Sequence, residues 1–148
     1  MAVTELTNEG EPKLKRSVEG GLLIRLTNKT GSASVKGTLV KADTATDNAF
    51  ILTGANEVEC IGVVYEAGVA DGSECWIVVA GIAEVLLKDT TASTRGNWVE
   101  TSDTAGRADA TNAAPPGIDP SHFQEIGHAI ESKSGGTDVL AKIVMHFN

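Results

Sequence analysis

From Leu22 onward the chain is written in short runs rich in β-branched residues, separated by Gly, Asn and Asp at a spacing of roughly ten residues. That punctuation leaves no room for long helices and selects an all-β domain, a compact antiparallel β-sandwich or barrel. Strands are expected at about Leu22 to Thr27, Val35 to Lys41, Phe50 to Thr53, Val58 to Tyr65, Cys75 to Val79, Ile82 to Leu87 and Asn97 to Thr101. A last one runs from Asp138 to Phe147, where Val139, Ala141, Ile143, Met145 and Phe147 alternate and so line one face. Asp71-Gly72 supplies the positive φ of a tight hairpin turn and predicts antiparallel pairing of Val58 to Tyr65 with Cys75 to Val79. Both of these runs are apolar on both faces, and a two-faced strand must be covered twice, by the opposite sheet and by a further element or another subunit. Ala80-Gly81 then bends the chain into Ile82 to Leu87.

Three stretches depart from this pattern. Residues 1 to 20 carry only Leu6, Leu14 and Val18 as isolated large apolar side chains and close on Gly20-Gly21, which reads as a flexible N-terminal arm ahead of a single β domain over 21–148. At 148 residues, one core is the expected number. Residues 100 to 120 are almost wholly small or polar and read as a long surface loop, with a short strand after the Thr104-Ala105-Gly106 turn as an option within it. Around residue 125 two readings compete. Phe123, Ile126 and Ile130 have helical spacing behind Asp119-Pro120, whereas a strand from Glu125 to Glu131 would put Ile126, His128 and Ile130 on one face; Gly127 and the Ser134-Gly135-Gly136 turn favour the strand.

Charge divides unevenly. Residues 1 to 41 hold seven Lys or Arg against four Glu, a net of +3, and the remainder holds five against sixteen, a net of −11, within a total of −8. A body this acidic repels nucleic acid and anionic lipid, so direct nucleic-acid or membrane binding is not expected. The basic residues Lys13, Lys15 and Arg16 cluster in the arm and could meet acidic groups on a partner or on a neighbouring copy. No secretory signal or spanning segment is legible, which points to synthesis in a cytoplasm. Cys60 and Cys75 sit in apolar runs and read as buried free thiols, and the Asn28-Lys29-Thr30 sequon carries no weight.

Chemical motifs are scarce. His122, His128 and His146 all fall near the end of the chain without zinc-motif spacing, so a metal site would have to be assembled by the fold alone, and neither metal nor cofactor is expected. Cys60 or Cys75 paired with His128 would need an exposed, acidified thiol, and the apolar runs around both cysteines argue the opposite. No phosphate-binding glycine motif occurs, and acidic pairs such as Glu57 with Glu59 or Asp71 with Glu74 are what a strongly acidic body contains by chance. No catalytic residue is expected.

The order Glu59-Cys60-Ile61-Gly62-Val63-Val64-Tyr65, Asp71-Gly72, Trp76 through Val85, Gly96-Asn97-Trp98-Val99 and Gly106-Arg107-Ala108, closing on Glu125-Ile126-Gly127-His128-Ala129-Ile130 and a terminal strand, resembles the small β-rich capsid decoration, or cement, proteins of tailed bacteriophages. It extends over about residues 57 to 147. The resemblance implies a homo-oligomer, a trimer by preference, that binds the major capsid protein on the outside of the expanded head and stabilises it against internal DNA pressure. The arm residues Leu6, Lys13, Leu14, Lys15, Arg16 and Val18 are then the expected contacts to the capsid or to a neighbouring copy. Two alternatives accompany this reading: a virion surface or head-fibre adhesion module, and a small oligomeric β-fold enzyme.

Overall fold

The computed structural model describes residues 13–114 and 120–146. Its ten strands are β1 (Leu14–Arg16), β2 (Gly21–Asn28), β3 (Leu39–Ala42), β4 (Ala49–Leu52), β5 (Cys60–Val64), β6 (Glu74–Leu86), β7 (Trp98–Thr101), β8 (Ala108–Thr111), β9 (Glu125–Ala129) and β10 (Leu140–Met145). A 3-10 turn, Pro120–Gln124, precedes β9, so the strand reading holds for Glu125–Ala129, and the helix through Phe123, Ile126 and Ile130 is reduced to the turn before it.

Five strands close on themselves in the order β2, β4, β3, β5, β6 and back to β2. β2 and β4 run parallel through Thr27 opposite Ala49 and Asn28 opposite Phe50, and the other neighbours around the ring are antiparallel. The interior is filled by Val40, Phe50, Val64, Cys75 and Ile77, with Ile24, Leu26, Ile61, Val69 and Val79 packed around them. Closure removes the sheet edges along these strands and hides one whole face of each.

β6 joins the barrel to the rest of the molecule. Its first half pairs with β2 and β5, and its second half, Gly81 to Leu86, pairs with β10, which continues through β9 and β7 to β8. The expected bend at Ala80-Gly81 is real but does not end the strand: Gly81 takes φ 77°, and a side chain there would strike the carbonyl of Gly20. The flanking sheet packs one face on the outside of the barrel. Leu23, Leu39, Val63, Trp76 and Val78 from the barrel meet Val85, Val99, Ala108, Ile126, Ala129, Ala141, Ile143 and Met145. The alternation read for the final strand holds at Ala141, Ile143 and Met145, with Val139 partly buried on the same core; Phe147 lies outside the described residues.

Three expectations are corrected, and one open choice is decided. Of the two covers possible for the two-faced strands, a further element of the same chain is present: one face lines the barrel interior and the other is covered by the chain's own flanking sheet. Asp71-Gly72 is not a two-residue hairpin turn. β5 and β6 do pair antiparallel, but the connection is a longer loop tied to the end of β2, with Gly72 N–H donating to the Asn28 carbonyl at 2.7 Å and Gly31 N–H donating to Asp71 Oδ1 at 2.9 Å. The polar stretch after Thr101 is not a free loop as far as residue 111. β8 pairs along its length with β7, Ala108 is fully buried, and Arg107 reaches Asp89 at 2.9 Å and Asp138 at 2.5 Å while donating to the Leu87 carbonyl at 3.0 Å. Small side chains there allow close packing where large ones would not fit. Finally, residues 14–16, read as part of a flexible arm, form β1 on β2; residues 1 to 12 lie outside the described residues.

Candidate interaction surface

Two surfaces collect the side chains that could meet something outside the chain. The first is the edge at β1. Leu14, Lys15 and Arg16 pair with Ile24, Leu23 and Leu22 of β2, and Arg25 N–H donates to the Lys13 carbonyl at 3.1 Å. The following turn is closed by Ser17 N–H to the Gly21 carbonyl at 2.8 Å and by Gly21 N–H to Ser17 Oγ at 2.9 Å. The Tyr65 hydroxyl donates to Glu19 Oε2 at 3.3 Å, which fastens this turn to the barrel.

The basic cluster is partly spent on the protein's own surface. Lys13 pairs with Glu74, which also holds Arg25 at 3.1 Å, and the hydrogen bond from Lys13 keeps the Glu74 carboxyl below its usual range. Lys15 Nζ stands 4.2 Å from the centroid of the Trp76 ring, and Arg25 stacks on the same ring from 5.4 Å. Nothing in the sequence spacing pairs Lys13 with Glu74 or Lys15 with Trp76; the link exists only because β1 lies on β2 and β2 on β6. Beside these exposed cations the edge also presents apolar side chains: Leu14 is 57% exposed, Val18 96% and Leu22 37%, next to Arg16 and a shallow hollow shared with Gly20, Ala80 and Gly81. Of the expected contact residues, the structure therefore brings Lys13, Leu14, Lys15, Arg16 and Val18 to one edge, and Leu6 lies outside the described residues.

The second surface is the open face of the flanking sheet, and the sequence reading missed it. Strict alternation would put Ile126 and His128 together. Instead the pairing of β9 with β7 runs Trp98 to His128, Val99 to Gly127 and then Glu100 to Glu125, which leaves Ile126 as an extra, bulged residue. The bulge turns Ile126 and Ala129 into the core and places Glu125 and His128 on the outer face. Gly127 makes the crowding tolerable, since a side chain there would collide with the Val144 carbonyl of β10. On β10 the inward alternation of Ala141, Ile143 and Met145 sends His146 outward, and its N–H donates to the Ile126 carbonyl at 3.0 Å.

The result is a compact group. His128 Nδ1 and His146 Nε2 are 2.8 Å apart, and His146 Nε2 is 2.9 Å from Glu125 Oε1. The Trp98 ring lies 4.2 Å from that of His128, tilted by 49°. Glu125 is 2% exposed, with Glu100 opposite it on β7 and Asp109 opposite Glu100 on β8. Burial, then the charges of Asp109 and Glu125, push the Glu100 carboxyl above its ordinary value.

Burial pushes the Cys60 thiol up to about 12 and raises that of Cys75 as well. Asn28 of the sequon is fully buried, its amide donating to the carbonyls of Ser32 and Val69, both at 2.9 Å.

No protein-family model matches the chain, and no curated protein matches it in sequence. Among solved structures, the chain is similar to the N base of the head fiber protein gp8.5 of bacteriophage phi29, with a TM-score of 0.59 and 15% sequence identity over 84% of this chain and 94% of that one. Across so low an identity it is the fold that is shared: a closed five-stranded β-barrel with extra strands packed around it.

Proposed function

We propose that this chain is a structural protein of a tailed-phage particle, carried on the outer surface of the head. The observation that supports the reading most is the fold likeness to a phage head fiber base over nearly the whole of both chains. It joins an independent one, the resemblance of strand order and glycine placement to capsid decoration proteins. The interior agrees with a role in shape rather than chemistry, since the barrel is packed solid with Val40, Phe50, Val64, Cys75 and Ile77.

In this proposal the β1 edge faces the shell. Leu14 and Val18 supply apolar contact and Arg16 the charge, with Leu6 from the preceding segment as a further anchor. Lys13 and Lys15, already engaged by Glu74 and Trp76, contribute mainly by holding β1 in place. The finer role is decoration: binding the major capsid protein of the expanded head and stiffening it against DNA pressure. A second reading, the base of a head fibre, is favoured by the identity of the structural neighbour and uses the same docking. Because the two-faced strands are covered within the chain, the free protein is expected to be a 15.3 kDa monomer, with copies brought together as trimers on the head.

Co-sedimentation with purified heads tests the proposal. Binding to expanded heads and not to unexpanded precursors supports decoration, and binding that leaves the heat-induced release of DNA unchanged supports a fibre base. Absence of binding to either form refutes both, and light scattering of the free protein decides the monomer.

A further inference from the structure

We propose that Glu125, His128 and His146 form a binding site for a divalent transition metal, with Zn2+ the best fit. The ligand atoms of the three residues all lie within 4.8 Å of one another. His146 Nε2 stands between the other two, 2.8 Å from His128 Nδ1 and 2.9 Å from Glu125 Oε1. A proton on that nitrogen can be given to the carboxylate or to the neighbouring imidazole. Left without one, the nitrogen turns its lone pair toward a carboxylate oxygen. A dication instead uses a lone pair from each of the three atoms at once.

The donor set and its spacing suit such an ion. Two imidazoles and one carboxylate favour Zn2+ and its transition-metal neighbours over Mg2+ or Ca2+, which want oxygen ligands. Zn–N bonds of about 2.0–2.1 Å in a tetrahedron place two ligand atoms about 3.3 Å apart, so His146 has to draw back by about 0.5 Å while the donors of His128 and Glu125, within 4.8 Å of one another, close toward the same spacing. Its side chain is 39% exposed just beyond the end of β10, which leaves it room to move, whereas the Glu125 side chain is 2% exposed and forms the floor of the group. Trp98 against His128 limits rotation of that ring, as supporting residues do around metal ligands. Glu100 and Asp109 extend the row of carboxylates beside Glu125 and add to the attraction for a cation. The fourth position, on the exposed side of His146, suits a water molecule. Bound metal would staple the end of β10 to β9, and the inference stands apart from the head-associated reading.

The test is a calorimetric titration of the EDTA-treated full-length protein with Zn2+ alone. The expected result is saturation at one ion per chain, with His146→Ala and His128→Ala each weakening uptake at least tenfold and His122→Ala leaving it unchanged. Zn2+ at a hundredfold excess over its dissociation constant should raise the melting temperature by about 5–10 °C in the native protein. X-ray absorption on the Zn2+-loaded native protein requires no variant: it should show nitrogen and oxygen neighbours at about 2.0 Å with the outer-shell scattering of imidazole. Failure to saturate, uptake indifferent to both histidine substitutions, or sulfur in the first shell, which would assign the ion to a cysteine, would each overturn the site.

Discussion

The barrel and the flanking sheet share β6, yet they use their residues in opposite ways. In the barrel β3, β5 and β6 have one face on the interior and side chains of the other in the core shared with the flanking sheet, so Val, Ile, Leu and Cys serve on both sides. β7, β9 and β10 pack one face on the barrel, and on the other they carry Trp98, the buried Glu125 and the more exposed His128, Val144 and His146. The barrel interior is thus apolar, and the polar groups gather on the flanking sheet, where the buried Glu125 is met by His146 at 2.9 Å. The difference is one of architecture before it is one of composition.

Substitutions can break this contrast in order of expected size. Phe50→Ala empties the centre of the barrel and should cost about 3–5 kcal/mol in urea unfolding, whereas Val144→Ala on the open face should stay within about 0.5 kcal/mol. Equal losses would mean that the two regions are not distinct. Gly81→Ala forces a side chain into a positive-φ position against the Gly20 carbonyl, where barrel and sheet join, and should cost about 1–3 kcal/mol.

The Cys60 thiol gives the next test. Its ordinary value is 9.0, and burial raises it to about 12 in the folded protein. Below pH 9 the thiol is protonated in both folded and unfolded chains. Between about 9 and 12 the unfolded chain ionises first, so stability should fall as pH rises, and Cys60→Ala should flatten that part of the curve. The smallest effect belongs to the surface: Lys41 Nζ meets Glu57 Oε2 at 2.6 Å, and Lys41→Met should cost about 0.2–1 kcal/mol by thermal melting, less in high salt.

Much of the fold was legible because period-two patterns survive translation into strands. Val139, Ala141, Ile143 and Met145 were placed on one face and are there, at least in part buried. Alternation fails at the bulges. Between Val40 and Lys41 the pairing of β3 with β5 slips, so Cys60 faces the outer core with Val63 and Tyr65 while Ile61 joins Val64 in the interior. The bulge at Ile126 did the same to His128, and with it hid the metal-ligand trio, whose members are separated by β10's return across the sheet rather than by any local spacing. On the arm, composition showed isolated apolar residues and a basic cluster. It could not show that Lys15 finds Trp76, a contact that depends on three strands lying side by side.

Cryo-electron microscopy of the mature particle of the phage to which the proposal assigns this chain tests the central claim most directly. The account expects density for the barrel and its flanking sheet on the outer face of the head, seated through the β1 edge at Leu14, Arg16 and Val18, with the open face of the flanking sheet turned away from the shell. A head surface bare of this domain, in a particle from which the protein is also absent by mass spectrometry, would contradict it.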